Sequence, residues 1–182
     1  MAKHSTLTGA DLHEPKGVSS ALSGNVYIAD GAGSGAWDNL PASDVSVADA
    51  SSLFSGTDVE SVLQEIYEAP VFLHGVLADV STASFVMVPI PDDGEVSKIT
   101  FTLGAAITTA NATVTVTRGG DSASLGTQVI TQSGSAEGDT YSFTPSGNAT
   151  ITAATHKYLK IATDGASGTT APLAFTISFI RG

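Results

Sequence analysis

"ATVTVTR", residues 112–118, alternates between apolar and hydroxyl side chains without a break. Successive side chains of an extended chain point to opposite faces. Val114 and Val116 therefore share one face, and Thr113, Thr115 and Thr117 share the other. This predicts an antiparallel strand with one side on a core and the other facing water or a sister subunit.

Working outward, the same kind of stretch recurs. "VFLHGVL" (71–77), "SFVMVPI" (84–90) and "VSKITFTL" (96–103) precede it. "TQVITQ" (127–132), "TYSFTP" (140–145), "KYLKIAT" (157–163) and "PLAFTISFI" (172–180) follow. In the last of these Phe175, Ile177 and Phe179 fall on one face. Clusters of Gly, Asp, Asn and Pro separate the stretches, as turns require. Eight short strands at this spacing predict an antiparallel β-sandwich, jelly-roll-like, over residues 71–182. Composition agrees: charged residues are 14% of the chain, and Gly, Ala, Ser and Thr dominate where long helices would call for more Leu, Lys, Glu and Gln.

One helix is expected, over "TDVESVLQEIYE", residues 57–68. Thr57 and Glu60 have capping-box spacing, and Asp58 and Glu60 suit the positive end of the helix dipole. Val59, Val62, Leu63, Ile66 and Tyr67 make one apolar stripe, and Pro70 ends the run. A helix this short is marginal alone. Its stripe packs either on its own β-domain or on copies of itself in a trimeric bundle. In the second case Val59, Val62, Leu63 and Ile66 form the trimer interface, and residues 57–70 are an oligomerisation linker.

Residues 1–56 show no sustained period and hold too little apolar surface for a core of their own. They are expected to be an extended arm. Within it "VYIADGAGSGAW", residues 26–37, suggests a short strand, a glycine-rich turn and an aromatic anchor. Val26, Ile28 and Trp37 are the candidate knobs for another surface.

The net charge is -11. Residues 1–70 carry two Lys against ten acids, a balance of -8, and residues 71–182 five bases against eight acids, a balance of -3. An acidic surface repels phosphate backbones and has no affinity for anionic lipid, so neither nucleic acid nor membrane is an expected partner. The acidic first part suits either docking on a basic surface or a solvated arm. Cysteine is absent, which excludes disulfides, thiol nucleophiles and thiolate metal sites. "MAKHSTLTGADL" has no apolar signal-peptide core, and no run has the length of a membrane span. The expectation is synthesis in the cytoplasm of a host and a soluble chain until assembly.

The chemical motifs fail on spacing or context. His13-Glu14 opens a zinc-protease pattern, but Gly17 stands where the second His is needed and Pro15 disturbs a helix. His4, His74 and His156 have no ligand spacing. "GAGSGA", residues 31–36, matches a variant dinucleotide turn, yet "WDNLP" follows it instead of a helix. No Ser occupies a nucleophile elbow. Asp92, Asp93 and Glu95 in "PDDGE" read as a turn, with a calcium site the weaker option. Asn111 and Asn148 begin sequons that carry no weight without secretion. An enzyme is not expected, nor is any metal or cofactor.

The residues that remain carry a resemblance. "LTGADLHEPKGVSSALSGNVYIADGAGSGAWDNLP", residues 7–41, resembles the N-terminal segment of tailed-bacteriophage fibre and head-decoration proteins. A His-Glu-Pro-Lys-Gly stretch is followed there by a "VY.A.G.GSG.W" stretch, matched here by His13 to Gly17 and by Val26, Tyr27, Ala29, Gly31, Gly33, Ser34, Gly35 and Trp37. "FSGTDVESVLQEIYE", residues 54–68, looks like the short helical linker of such fibres. The resemblance implies a non-enzymatic virion component, commonly trimeric, fastened by its N-terminal segment. The missing long shaft favours a capsid decoration (cement) protein or head fibre on the capsid surface. The implied partners are the phage major capsid protein and two further copies of this chain. Leu7, Leu12, His13, Glu14, Pro15, Lys16, Val18, Val26, Ile28 and Trp37 are the expected capsid-anchoring residues, with Leu7, Leu12 and Val18 as apolar pegs. The alternative is a short tail or baseplate fibre whose sandwich binds a host-surface glycan.

Overall fold

The alternation of residues 112–118 is realised. Ala112, Val114 and Val116 are fully buried, and Thr113, Thr115 and Thr117 stay partly exposed. A computed structural model describes residues 21–32 and 35–182. The expected anchoring residues from Leu7 to Val18 lie outside the described residues. The chain divides into two units, one ending at Ile66 and the other running Tyr67–Gly182.

In the first unit, β1 (Val26–Ala29) and β2 (Gly35–Asp38) pair antiparallel, with Tyr27 opposite Trp37 and Ile28 opposite Ala36. A single 3-10 turn follows at Ala42–Asp44. The chain then runs beside the approach to α1 (Val59–Glu68): the Val47 amide donates to the Thr57 carbonyl at 2.9 Å and the Val59 amide to the Val45 carbonyl at 2.9 Å. These bonds move the expected helix start. With its carbonyl engaged by Val47, Thr57 stays in the extended pairing, and the cap falls on Asp58. Asp58 Oδ1 accepts the Ser61 amide at 2.9 Å, and the Asp58 amide donates to Ser61 Oγ at 3.3 Å. The capping box is therefore Asp58–Ser61, not Thr57–Glu60. The Ser61 amide and hydroxyl hold the Asp58 carboxyl below its usual value. Glu65 reaches back to accept the Ser55 and Gly56 amides at 2.8 and 3.2 Å.

The second unit begins with β3 (Val71–Leu77), β4 (Ser84–Pro89), β5 (Gly94–Leu103), β6 (Ala112–Arg118) and β7 (Ser124–Ile130). It continues with β8 (Thr140–Phe143), β9 (Thr150–Ile151), α2 (Ala153–His156), β10 (Tyr158–Thr163) and β11 (Leu173–Arg181). The pairing is nested. β3 pairs with β11, β4 with β10, β5 with β8 and β6 with β7, all antiparallel. The chain thus behaves as one long hairpin, and β11–β5 and β10–β6 pairing rolls it into two sheets. Their orders are β3-β11-β5-β8 and β4-β10-β6-β7, with β9 added to β5. This is jelly-roll connectivity in a mostly β, antiparallel sandwich, as the eight predicted stretches imply.

Inward side chains of the two sheets form one core, with Ile99, Phe101 and Leu103 of β5, Ile177 and Phe179 of β11, and Leu159 and Ile161 of β10 fully buried. Phe101 stacks on Phe143 with ring centroids 6.4 Å apart. Asp79 ties the turn after β3 by accepting the Ser81 amide and hydroxyl, each at 2.8 Å. It also accepts the Ala171 amide at 3.3 Å, which joins that turn to the approach to β11. In this unit β9 and α2 were not anticipated, both too short to carry a period.

Candidate functional site

The β1–β2 hairpin places its two aromatic residues against each other. Tyr27 and Trp37 meet edge to face, centroids 5.5 Å apart and planes at 66°. Cross-strand aromatic pairs of this kind stabilise a two-stranded ribbon that has little else to hold it. Gly35 permits the close approach, because a Cβ there would collide with the Ile28 carbonyl and the Tyr27 ring. β2 begins at Gly35, where a dinucleotide turn would open onto a helix. Of the expected knobs, Val26 is exposed and Ile28 and Trp37 are partly exposed. Tyr27 was missed as part of this group. Its sequence signal is its distance from Trp37, which a hairpin centred on the glycines makes a direct pair.

No described residue between 21 and 56 is buried. Leu22 and Leu53 are 75% and 74% exposed, and Leu40 stands half exposed. These apolar residues are therefore uncovered along the whole described arm.

The four residues expected to bring copies together are split by burial. Val62 is buried and Val59 partly so, while Leu63 and Ile66 are 59% and 51% exposed. Leu63 and Ile66 leave an apolar strip on α1, and the exposed Tyr67 continues it into the second unit.

The outer faces of the sandwich are rows of hydroxyls, such as Thr176, Thr100 and Ser142 across β11, β5 and β8. The edge strands differ: β3 presents Phe72 and Val76, and β4 presents Phe85 and Met87, all about half exposed. Lys160 Nζ lies 4.4 Å above the Phe85 ring, a cation–π contact that partly covers it.

Most of the polar residues weighed as chemistry are engaged in local hydrogen bonds. His156 Nδ1 accepts the Thr152 amide at 2.8 Å, which leaves Nε2 facing Asp121 at 3.9 Å. His74 Nδ1 bonds Thr176 Oγ1 at 3.1 Å. Asp92 accepts the Asp93 amide, and Asp93 Oδ1 accepts the Ala153 amide at 2.7 Å. Asn111 accepts the Gln132 amide, and Asn148 donates to the Ser124 carbonyl. Among the described residues no three His, Asp or Glu side chains converge as metal ligands, and no helix is long and apolar enough to cross a membrane.

Among the clefts of the second unit are two of similar size. One, of about 390 Å³, lies among Val76, Thr102, Gly104, Glu137 and Pro172. The other, of about 410 Å³, lies where β5 begins and β11 ends, with Glu95, Thr150, Thr152 and Arg181 in its lining.

No protein-family model matches the chain, and no curated protein is similar to it in sequence. Among the solved structures that share part of its shape are the following three. A chain of the cyanophage Pam1 capsid asymmetric unit is 15% identical with a TM-score of 0.40, covering 62% of this chain and 85% of that one. A His 62 mutant of the lectin binding domain of Lectinolysin, complexed with Lewis b, is 14% identical with a TM-score of 0.33, covering 61% and 71%. A chain of the Bacillus endospore appendages, described as disulfide-linked pili, is 16% identical with a TM-score of 0.30, covering 63% and 88%.

Proposed function

We propose that this chain is a structural, non-enzymatic component of a tailed-bacteriophage virion, a trimeric capsid decoration or head-fibre protein. Its arm binds the major capsid protein, α1 brings three copies together, and the jelly roll projects from the shell. The observation that carries this is that no described residue from 21 to 56 is buried, while the sandwich has a complete core of its own. An arm that leaves Leu22, Leu40 and Leu53 uncovered gains most by laying them on another surface. The resemblance of residues 7–41 to phage virion-anchoring segments supports a virion surface, and the missing long shaft favours the capsid over the tail. Three linked arms raise the effective concentration of each, so weak individual contacts suffice.

The test is attachment to particles. DNA-filled heads lacking this protein are mixed with the full chain, or with a version starting at residue 57, and imaged by cryo-electron microscopy. The expected result is threefold density on the shell with the full chain alone. If neither version binds heads, the arm belongs to the tail, and a short tail or baseplate fibre replaces the decoration role.

A further inference from the structure

The cleft at the start of β5 is built from fixed backbone and two uncommitted charged groups. Gly94 lines it, and only glycine fits there, since a Cβ would collide with the Ile180 carbonyl and the Phe179 ring. Its rim is tied at several points. The Asp93 carbonyl accepts the Gly182 amide at 3.2 Å, and Asp93 Oδ1 accepts the Ala153 amide at 2.7 Å. Arg118 Nη1 donates to the Thr150 carbonyl at 2.9 Å. The Tyr67 hydroxyl donates to the Gly182 carbonyl at 3.3 Å, which sets an exposed aromatic ring beside the rim.

None of these bonds uses the side chains of Glu95 or Arg181. Both line the cleft, and neither has a hydrogen bond or an ion pair among the described residues. A carboxylate that only accepts, a guanidinium that only donates, threonine hydroxyls that do both and a nearby aromatic face are complementary to one ligand chemistry. A pyranose carries hydroxyls that donate and accept together, and an apolar face of C–H groups.

The geometry points to this cleft as a binding site for a neutral pyranose unit of a glycan. Glu95 accepts sugar hydroxyls, Arg181 donates to a sugar oxygen, and the Tyr67 ring meets the apolar face. Charge argues against an acidic sugar: Asp93 and Glu95 outnumber Arg181 in the lining, and the whole chain carries -11. The site goes beyond the virion-anchoring role and does not depend on it, because it lies in the second unit and is testable with the chain in solution.

The experiment measures binding of the full chain to immobilised neutral oligosaccharides of glucose, galactose, mannose and N-acetylglucosamine. Sialylated and uronic-acid glycans form the anionic arm, and the free neutral hexoses are added as competitors. The expected result is millimolar binding to neutral members, displaced by a free hexose. Glu95→Gln and Arg181→Gln each weaken it by about tenfold, the cost of losing a charge-assisted bond. Tyr67→Ala weakens it too, whereas Tyr67→Phe keeps the ring and most of the affinity. Circular dichroism and the thermal midpoint confirm that each variant folds. Absence of neutral-glycan binding at about 10 mM overturns the proposal. So does binding that the Glu95 and Arg181 variants leave unchanged, or a preference for the anionic arm.

Discussion

Arg118 and Asp121 form a two-pronged ion pair across the β6–β7 turn. Arg118 Nε lies 3.1 and 3.0 Å from the two carboxylate oxygens, and Nη2 lies 2.7 Å from Oδ2. The remaining nitrogen, Nη1, donates to the Asn148 and Thr150 carbonyls, so one guanidinium fastens the turn to the segment that leads into β9. Planar, bidentate geometry is what lets an arginine make both sets of bonds at once. The Arg118 hydrogen bonds first, then the Ala123 amide, pull the Asp121 carboxyl from 3.8 down to about 2.

That depression sets a pH dependence. A carboxyl whose folded value lies below its unfolded value adds stability that is complete above the unfolded value and fades as pH falls towards the folded one. Asp121→Asn is expected to lower the thermal midpoint at neutral pH, with the gap to wild type closing between 3.8 and about 2. Thermal denaturation across that range checks it. A gap that does not change with pH would assign the loss to geometry and not to ionisation.

The core responds to volume. Phe101 is fully buried and stacks on Phe143, so Phe101→Ala is expected to cost about 3–5 kcal/mol in denaturant unfolding. Gly75 tests the opposite error. A Cβ there would run into the Phe175 ring, so Gly75→Ala is expected to cost about 1–3 kcal/mol by overpacking. A neutral Gly75→Ala would show that Phe175 can move aside.

In the proposed trimer, the strip left uncovered on α1 is the contact between copies. Leu63→Glu with Ile66→Glu adds two charges to a helix that already carries Glu60, Glu65 and Glu68. The expected outcome is a monomer in sedimentation experiments, with the β-sheet circular dichroism retained. A double variant that sediments as the wild type does would remove α1 from the assembly.

In the proposed attachment, the hairpin is the part that holds the shell. Trp37→Ala removes one half of the edge-to-face pair with Tyr27 and is expected to weaken head binding by about a hundredfold, as for a central aromatic anchor. The thermal midpoint of the sandwich should not change, because Trp37 is outside its core. Undiminished head binding would shift the anchoring to other residues of the arm.

Much of the fold was legible because strand periodicity is local. The stretches at 71–77 and 112–118 coincide with β3 and β6; two-residue alternation marks the second, and the turn residues Pro70 and Asp79 bound the first. The helix was legible from its stripe, but its cap was not. Asp58 caps because the Val47 amide engages the Thr57 carbonyl, a contact between residues ten apart. The pairing of Tyr27 with Trp37 and the meeting of Tyr67 with Gly182 were likewise invisible to any window of neighbouring residues.

By itself the sequence determined the β class, the inward faces of the strands, the position of α1 and the lack of a buried residue in the described part of the arm. Each of these follows from side-chain type and spacing along a short stretch. Tertiary structure alone decided that β3 pairs with β11 and β4 with β10, and that Asp93, Glu95, Thr150 and Arg181 share one cleft. Those pairings close loops of up to about a hundred residues, and the choice among them rests on how two whole faces bury each other.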